Sequence, residues 1–164
     1  SGPAVRIVYG LKYGGWSALA APMGDRMAEL RLPEWAATDT RPHRRGVLVP
    51  VPTTTARARR RGYNQAALLA DRVGQRLGLP VRDALERTSG SASQTRLRPD
   101  ERAENVRGVF RCARVAWVRG ADVILVDDVL TTGATAGEAA GVLAAAGAAS
   151  VTLIAFARAL PDVV

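Results

Sequence analysis

Apolar positions at helical spacing open the chain. Leu19, Met23, Met27 and Leu30 mark one face over residues 17–30, and the pattern predicts an amphipathic helix. Residues 33–45 are polar, with Pro42, His43, Arg44 and Arg45 in succession, and read as a loop in which His43 is a surface residue. The run Gly-Val-Leu-Val-Pro-Val-Pro over 46–52 predicts a buried strand that ends in a tight loop. Over residues 63–77, Ala66, Leu69, Ala70, Val73 and Leu77 fall on one face, and Gly78 supplies a cap. Residues 88–105 contain hardly any apolar side chain and predict an exposed loop, after which 109–110 and 115–118 read as short strands around a turn.

The pattern sharpens toward the C-terminus. After Asp122, residues 123–126 form a continuous apolar run of the kind that a parallel strand buried on both faces requires. Residues 135–146 are alanine-rich and predict a helix capped by Gly147, and residues 150–156 are rich in β-formers. Strand, helix, strand with short connections is a right-handed βαβ unit, and with the earlier strand and helix it predicts an α/β fold on an open, mainly parallel sheet flanked by helices.

Composition narrows the picture. A chain of 164 residues fits one domain, 1–164, and none of its segments approaches the roughly 20 apolar residues of a membrane span. Arg6, Lys12 and several glycines interrupt any leader-like apolar stretch, so a cytoplasmic protein without membrane insertion is expected. The start, Ser1-Gly2-Pro3, suggests a tag-cleavage remnant or a fragment. The only cysteine, Cys112, excludes an internal disulfide framework and a multi-cysteine zinc site within this chain. The net charge of +8 favours anionic partners. Nearly all of it is arginine, since Lys12 is the only lysine, so part of the charge reflects a compositional bias.

The chemistry concentrates in Val-Ile-Leu-Val-Asp-Asp-Val-Leu-Thr-Thr-Gly-Ala-Thr over 123–135. In an open parallel sheet, ligands sit beyond the carboxyl ends of the strands. Here the strand is expected to end at Asp127 and Asp128, followed by a threonine-rich turn at a helix N-terminus, where unpartnered N–H groups favour an anion. Gly133 lets the backbone approach a phosphate closely, and the threonine hydroxyls add donors. Ionised carboxylates only accept hydrogen bonds, so the aspartates suit hydroxyl groups beside that phosphate, and a sugar phosphate satisfies both. A P-loop is excluded because Lys12 is followed by Tyr13, and no Gly-x-Gly-x-x-Gly follows a strand.

This run resembles the phosphoribosyl-pyrophosphate motif of the type I phosphoribosyltransferases. Most of the chain also resembles the ComF family of competence-associated, phosphoribosyltransferase-like proteins. The matching pieces are Tyr-Gly-Leu-Lys-Tyr-Gly over 9–14, Val-Pro-Val-Pro over 49–52, Arg-Gly-Tyr-Asn-Gln over 61–65, and the spaced set Arg87, Gln94, Thr95, Arg102, Asn105, Gly108 and Phe110. Many family members carry an N-terminal zinc ribbon of paired cysteines, which this sequence does not contain.

The resemblance implies a type I phosphoribosyltransferase fold with a small N-terminal hood at 4–45 and a core at 46–158. It implies that Asp127 and Asp128 hold the ribose 2′- and 3′-hydroxyls, with either a candidate general base, and that Thr131, Thr132, Gly133, Ala134 and Thr135 cradle the 5-phosphate. Thr53 and Thr54 become candidates for a pyrophosphate loop, with Arg57, Arg59, Arg60 and above all Arg61 as its counter-charges. Lys12 is a catalytic candidate as the lone lysine in an arginine-rich chain. Gln94, Thr95 and Arg102 fall in a loop that would close over substrate and exclude water.

The implied activity is transfer of ribosyl 5-phosphate from phosphoribosyl pyrophosphate to an acceptor such as a nucleobase. Mg2+ is the implied cofactor, held mainly by substrate near Asp127 and Asp128 rather than by a dedicated protein cage. Two alternatives stand beside it: a non-catalytic competence protein that binds single-stranded DNA, and a sugar-phosphate-sensing regulator. A homodimer is compatible with either.

Overall fold

The computed structural model of the protein describes residues 3–37, 46–88 and 108–159. Three strands form its central sheet: β1 (Gly46–Pro50), β4 (Asp122–Leu130) and β5 (Ser150–Arg158), in the order β1-β4-β5 and parallel throughout. Leu48 also bridges to Val81, extending the sheet beyond β1. A second, two-stranded ribbon pairs β2 (Leu85–Arg87) antiparallel with β3 (Phe110–Cys112). The parallel sheet expected from the sequence is therefore present.

As the central strand, β4 buries side chains on both faces, and its alternation separates two cores. Ile124 and Val126 face Leu48 and one group of helices: α1 (Pro3–Tyr13), α2 (Ala20–Ala28) and α5 (Gln65–Leu77). Val123 and Leu125 face Val47 and Val49, the ribbon residues Leu85 and Phe110, and the helix α6 (Ala134–Ala145) through Ala139 and Leu143. Complete burial of side chains such as Ile124 and Leu125 is worth about 1.5–3 kcal/mol each. The described residues also include two shorter helices, α3 (Glu34–Ala37) and α4 (Thr55–Arg61).

Several elements depart from the sequence-based expectation. Helix α1 was not legible, because Gly10 dilutes its apolar face; yet Val8 and Leu11 are buried by it. Gly10 is there for packing, since a Cβ on it would lie 2.7 Å from the Trp16 ring. The helix expected over 17–30 is a 3-10 turn, Ser17–Leu19, followed by α2. Residues 115–117 form another 3-10 turn rather than a strand. β4 does not end at the aspartates. It runs on to Leu130, because β5 is equally long and pairs Val129 with Ala157 and Leu130 with Arg158. Within the region read as a loop over 33–45, residues 34–37 are helical, and His43 lies outside the described residues.

Candidate functional site

A cavity of about 320 Å3 opens beyond the carboxyl ends of β1 and β4. Its floor is Asp127 and Asp128 on β4, and one side is the turn that leads into α6. Gly133 takes φ +83°, a left-handed conformation that suits glycine, and turns the chain so that α6 begins facing the cavity. Thr131, Gly133 and Thr135 line that side. Thr132 and Ala134 do not line it; the Thr132 hydroxyl instead accepts the Ala134 N–H at 3.4 Å, which shapes the turn.

The two carboxylates have different surroundings, because strand alternation points them to opposite faces. Asp128 lies toward α1 and is buried, its side chain 10% exposed, and Lys12 Nζ reaches its Oδ2 at 3.0 Å. Asp127 accepts a hydrogen bond from the Asp128 N–H at 2.8 Å through its own Oδ1. Burial, and next the charge of Asp128, push the Asp127 carboxyl from an ordinary 3.8 up to about 7, against the opposing pull of that N–H and of Lys12. A carboxyl poised there can hold or release a proton near neutrality.

The opposite wall comes from separate segments. Thr53 lines it from the loop after β1, whereas Thr54 is the N-cap of α4 and accepts the Arg57 N–H at 3.2 Å. Helix α4 carries Arg57 and Arg61 onto this wall, and β2 adds Arg87. Arg59 and Arg60 are exposed and do not line the cavity. Among the described residues, none of Arg57, Arg61 and Arg87 pairs with a carboxylate. Burial, and then the charge of Arg57, lower the Arg87 pKa, so two guanidinium groups crowd one another where an anion would relieve them.

The Arg-Gly-Tyr-Asn-Gln segment divides its labour. Gly62 ends α4 with φ +83°. The Tyr63 hydroxyl donates to the Leu11 carbonyl at 2.7 Å and so ties down the helix end that carries Lys12. Asn64 Nδ2 donates to the Val51 carbonyl at 3.2 Å and pins the loop after β1. Gln65 is buried and lines the cavity; the sequence placed it in the family-like segment 61–65 but gave it no role beyond a first helical residue. Tyr13 stands at the rim, with the Arg61 guanidinium 5.0 Å from its ring centre and Tyr9 packed on it at 4.8 Å. Gln94, Thr95, Arg102 and Asn105 lie outside the described residues.

The donor set sets limits on a metal. No group of three or more His, Cys, Asp or Glu side chains converges among the described residues. The oxygens of Asp127 and Asp128 are of the kind that would hold a hard cation such as Mg2+.

Comparison with known proteins bears on this geometry. Residues 60–161 match the phosphoribosyl transferase domain. Competence protein F of Haemophilus influenzae is 32% identical over 146 residues, which cover 86% of this chain and 57% of that protein. The DNA utilization protein YhgH of Salmonella typhimurium is 32% identical over 160 residues, covering 96% of this chain and 68% of that protein. Its Escherichia coli counterpart is 36% identical over 114 residues, 69% of this chain and 49% of the relative. The chain thus spans about half to two thirds of the length of the curated relatives it matches. In structure, the glutamine phosphoribosylpyrophosphate amidotransferase of B. subtilis, complexed with ADP and GMP, superimposes with a TM-score of 0.53 at 17% identity, covering 84% of this chain and 26% of that one. At that identity the likeness establishes the fold, and the sequence relatives establish the branch. The chain belongs to the phosphoribosyl transferase domain family, with a type I phosphoribosyltransferase fold, and within it to the ComF family of competence protein F and YhgH.

Proposed function

We propose that the cavity binds Mg-phosphoribosyl pyrophosphate and that the protein transfers its ribosyl 5-phosphate to an acceptor. One observation carries this reading: a carboxylate pair lies between a helix-N-terminal turn on one side and, on the other, three arginines that pair with no carboxylate among the described residues. That arrangement fits a ligand with hydroxyls at its centre and an anion at each end. The 5-phosphate belongs in the turn of Thr131, Gly133 and Thr135. The ribose hydroxyls belong on Asp127 and Asp128, and the pyrophosphate belongs beside Thr53, Arg57, Arg61 and Arg87.

The reaction breaks the C1–oxygen bond of the ribose, and the electron pair leaves with pyrophosphate while the acceptor bonds to C1. When bound, Mg2+ supplies charge neutralisation to the departing pyrophosphate. The arginines share that role, and fixed charges aimed at a developing charge are a large source of rate. Lys12 bears on the sugar end, because its ammonium fixes the Asp128 carboxyl in place at 3.0 Å and leaves the other oxygen to meet a hydroxyl. Asp127, pushed up to about 7, is the carboxyl suited to take the acceptor's proton.

The test is pyrophosphate release across a panel of nucleobase acceptors, with the Asp127→Asn/Asp128→Asn double variant as control. Turnover with at least one acceptor, lost in the double variant, is the expected result. Tight binding of the pyrophosphate sugar without release for any acceptor would make the protein a sugar-phosphate sensor. No binding of that sugar would end the reading.

A second reading has its own observation. Tyr9, Tyr13 and Trp16 are 64%, 57% and 61% exposed, and the first two pack against each other with their rings tilted by 40° at the cavity rim beside arginine. Exposed aromatics beside positive charge suit single-stranded DNA, and the relatives' names refer to competence and DNA utilization. Fluorescence anisotropy over a salt series checks this: binding should weaken with salt and in a Tyr9→Ala/Trp16→Ala variant.

A further inference from the structure

One side chain on the basic wall has no explanation in the packing. Gln65 is the first residue of α5, is 3% exposed and lines the cavity, yet its Nε2 is fully buried without a hydrogen-bond partner among the described residues. Buried polar groups are nearly always satisfied, and an apolar residue of similar volume would fill the same space at no such cost. The helix end around it is equally open. Asn64 occupies the N-cap position without capping, because its amide is committed to the Val51 carbonyl. The first N–H groups of α5 therefore keep their positive end free, and Asn64, Gln65 and Ala66 all line the cavity. Arg61 Nε is a further buried donor without a partner on the same wall.

A gathering of donors with no acceptor points to an acceptor that arrives with the ligand. We infer that Gln65, with the open N-terminus of α5 and Arg61, forms a seat for the pyrophosphate group, in which Gln65 Nε2, shielded in the free protein, turns onto a pyrophosphate oxygen and donates to it. The inference rests on the reading of the cavity given above, and it adds a neutral donor to a wall otherwise read as arginine. A neutral amide suits this position because it fixes orientation without adding to the crowding of Arg57 and Arg87. The same amide would repel no departing group, so it serves the bound sugar and the released pyrophosphate alike.

The test is calorimetric titration of the full chain, in Mg2+ buffer, with inorganic pyrophosphate and separately with ribose 5-phosphate. Gln65→Glu, which puts a carboxylate where the donor stands, should weaken pyrophosphate binding by about 50-fold or more. Gln65→Met, which keeps the volume and loses the donor, should weaken it by about 10-fold. Both should bind ribose 5-phosphate within about twofold of the unaltered protein, since that ligand belongs to the opposite turn. Thermal melts identify a variant that does not fold, and Gln65→Met then decides alone. Pyrophosphate binding unchanged in Gln65→Met, in a protein that binds both ligands, overturns the role of Gln65 and leaves the reading of the cavity standing. An unaltered protein that binds neither ligand overturns both.

Discussion

The two walls of the cavity are built in opposite ways. The phosphate turn is one continuous stretch in which strand, carboxylates, turn and helix follow one another over 122–145. The basic wall is assembled from α1, the loop after β1, α4, α5 and β2, held by long-range ties such as Tyr63 to Leu11 and Asn64 to Val51. A contiguous wall is set by local backbone conformation, and a composite wall by packing. Damage to the first should therefore be abrupt and confined to one end of the ligand, whereas damage to the second should be graded and shared among residues.

The largest expected effect is at Gly133. A β-branched residue does not readily adopt φ +83°, so Gly133→Val forces the turn to rearrange at a cost of about 1–3 kcal/mol in strain. Ribose 5-phosphate affinity should fall on the order of 100-fold, with pyrophosphate affinity within about threefold of the original, as read by calorimetry. An equal loss for both ligands would show that the walls are not separable. Next in size is Arg57→Gln with Arg87→Gln. Pyrophosphate affinity should fall roughly 30-fold, but the free protein should melt within about 2 °C of the original, because relief of the like-charge contact offsets the loss of the Arg87 guanidinium 5.3 Å over the Phe110 ring.

Legibility in the sequence followed the same division. The sheet, its buried central strand and the α6 turn could be read from residues 122–156, because periodicity and turn chemistry are local signals. Lys12, Arg61 and Thr53 could be named but not placed, since nothing local says that α1 crosses the face of β4 that carries Asp128. Helix α1 itself was hidden by Gly10, which is explained only once Trp16 is seen against it. Gln65 stood in the family-like segment 61–65 but could be given no role, for a related reason. Its burial and its missing partner are properties of the cavity, and as the first residue of a helix it looks ordinary.

The aspartates sit between the walls and should make stability depend on pH. Asp127 titrates near 7 in the folded chain against an ordinary 3.8, so between those values the folded state binds more protons than the unfolded one. Stability from this group is then greatest below about pH 4, falls as pH rises toward 7, and is level above it. After allowance for solvent screening, the loss is on the order of 2 kcal/mol. Asp127→Asn should abolish that slope and melt a few degrees higher than the unaltered protein at pH 8, while losing sugar binding. A variant that melts lower at pH 8 would show that Asp127 is not held against its own charge.

The smallest effect, and the sharpest test of the composite wall, is expected at Tyr63. Its hydroxyl satisfies the Leu11 carbonyl, one of the final carbonyls of α1 that have no partner within the helix. Tyr63→Phe keeps the ring and removes one hydrogen bond, which should cost about 1 kcal/mol and lower Tm by about 2–4 °C. The C-terminal amides of α1 should exchange hydrogen faster, because the helix end that carries Lys12 is no longer tied to the segment that starts α5. Asp128 then loses part of its fixed counter-charge, and the affinity for ribose 5-phosphate should weaken by no more than about threefold. The hydrogen exchange of α6 should not change, since no residue of the phosphate turn depends on that bond. If α6 amides exchanged faster as well, the two walls would open as one unit, and the contrast between a locally specified wall and an assembled one would not describe how this site holds together.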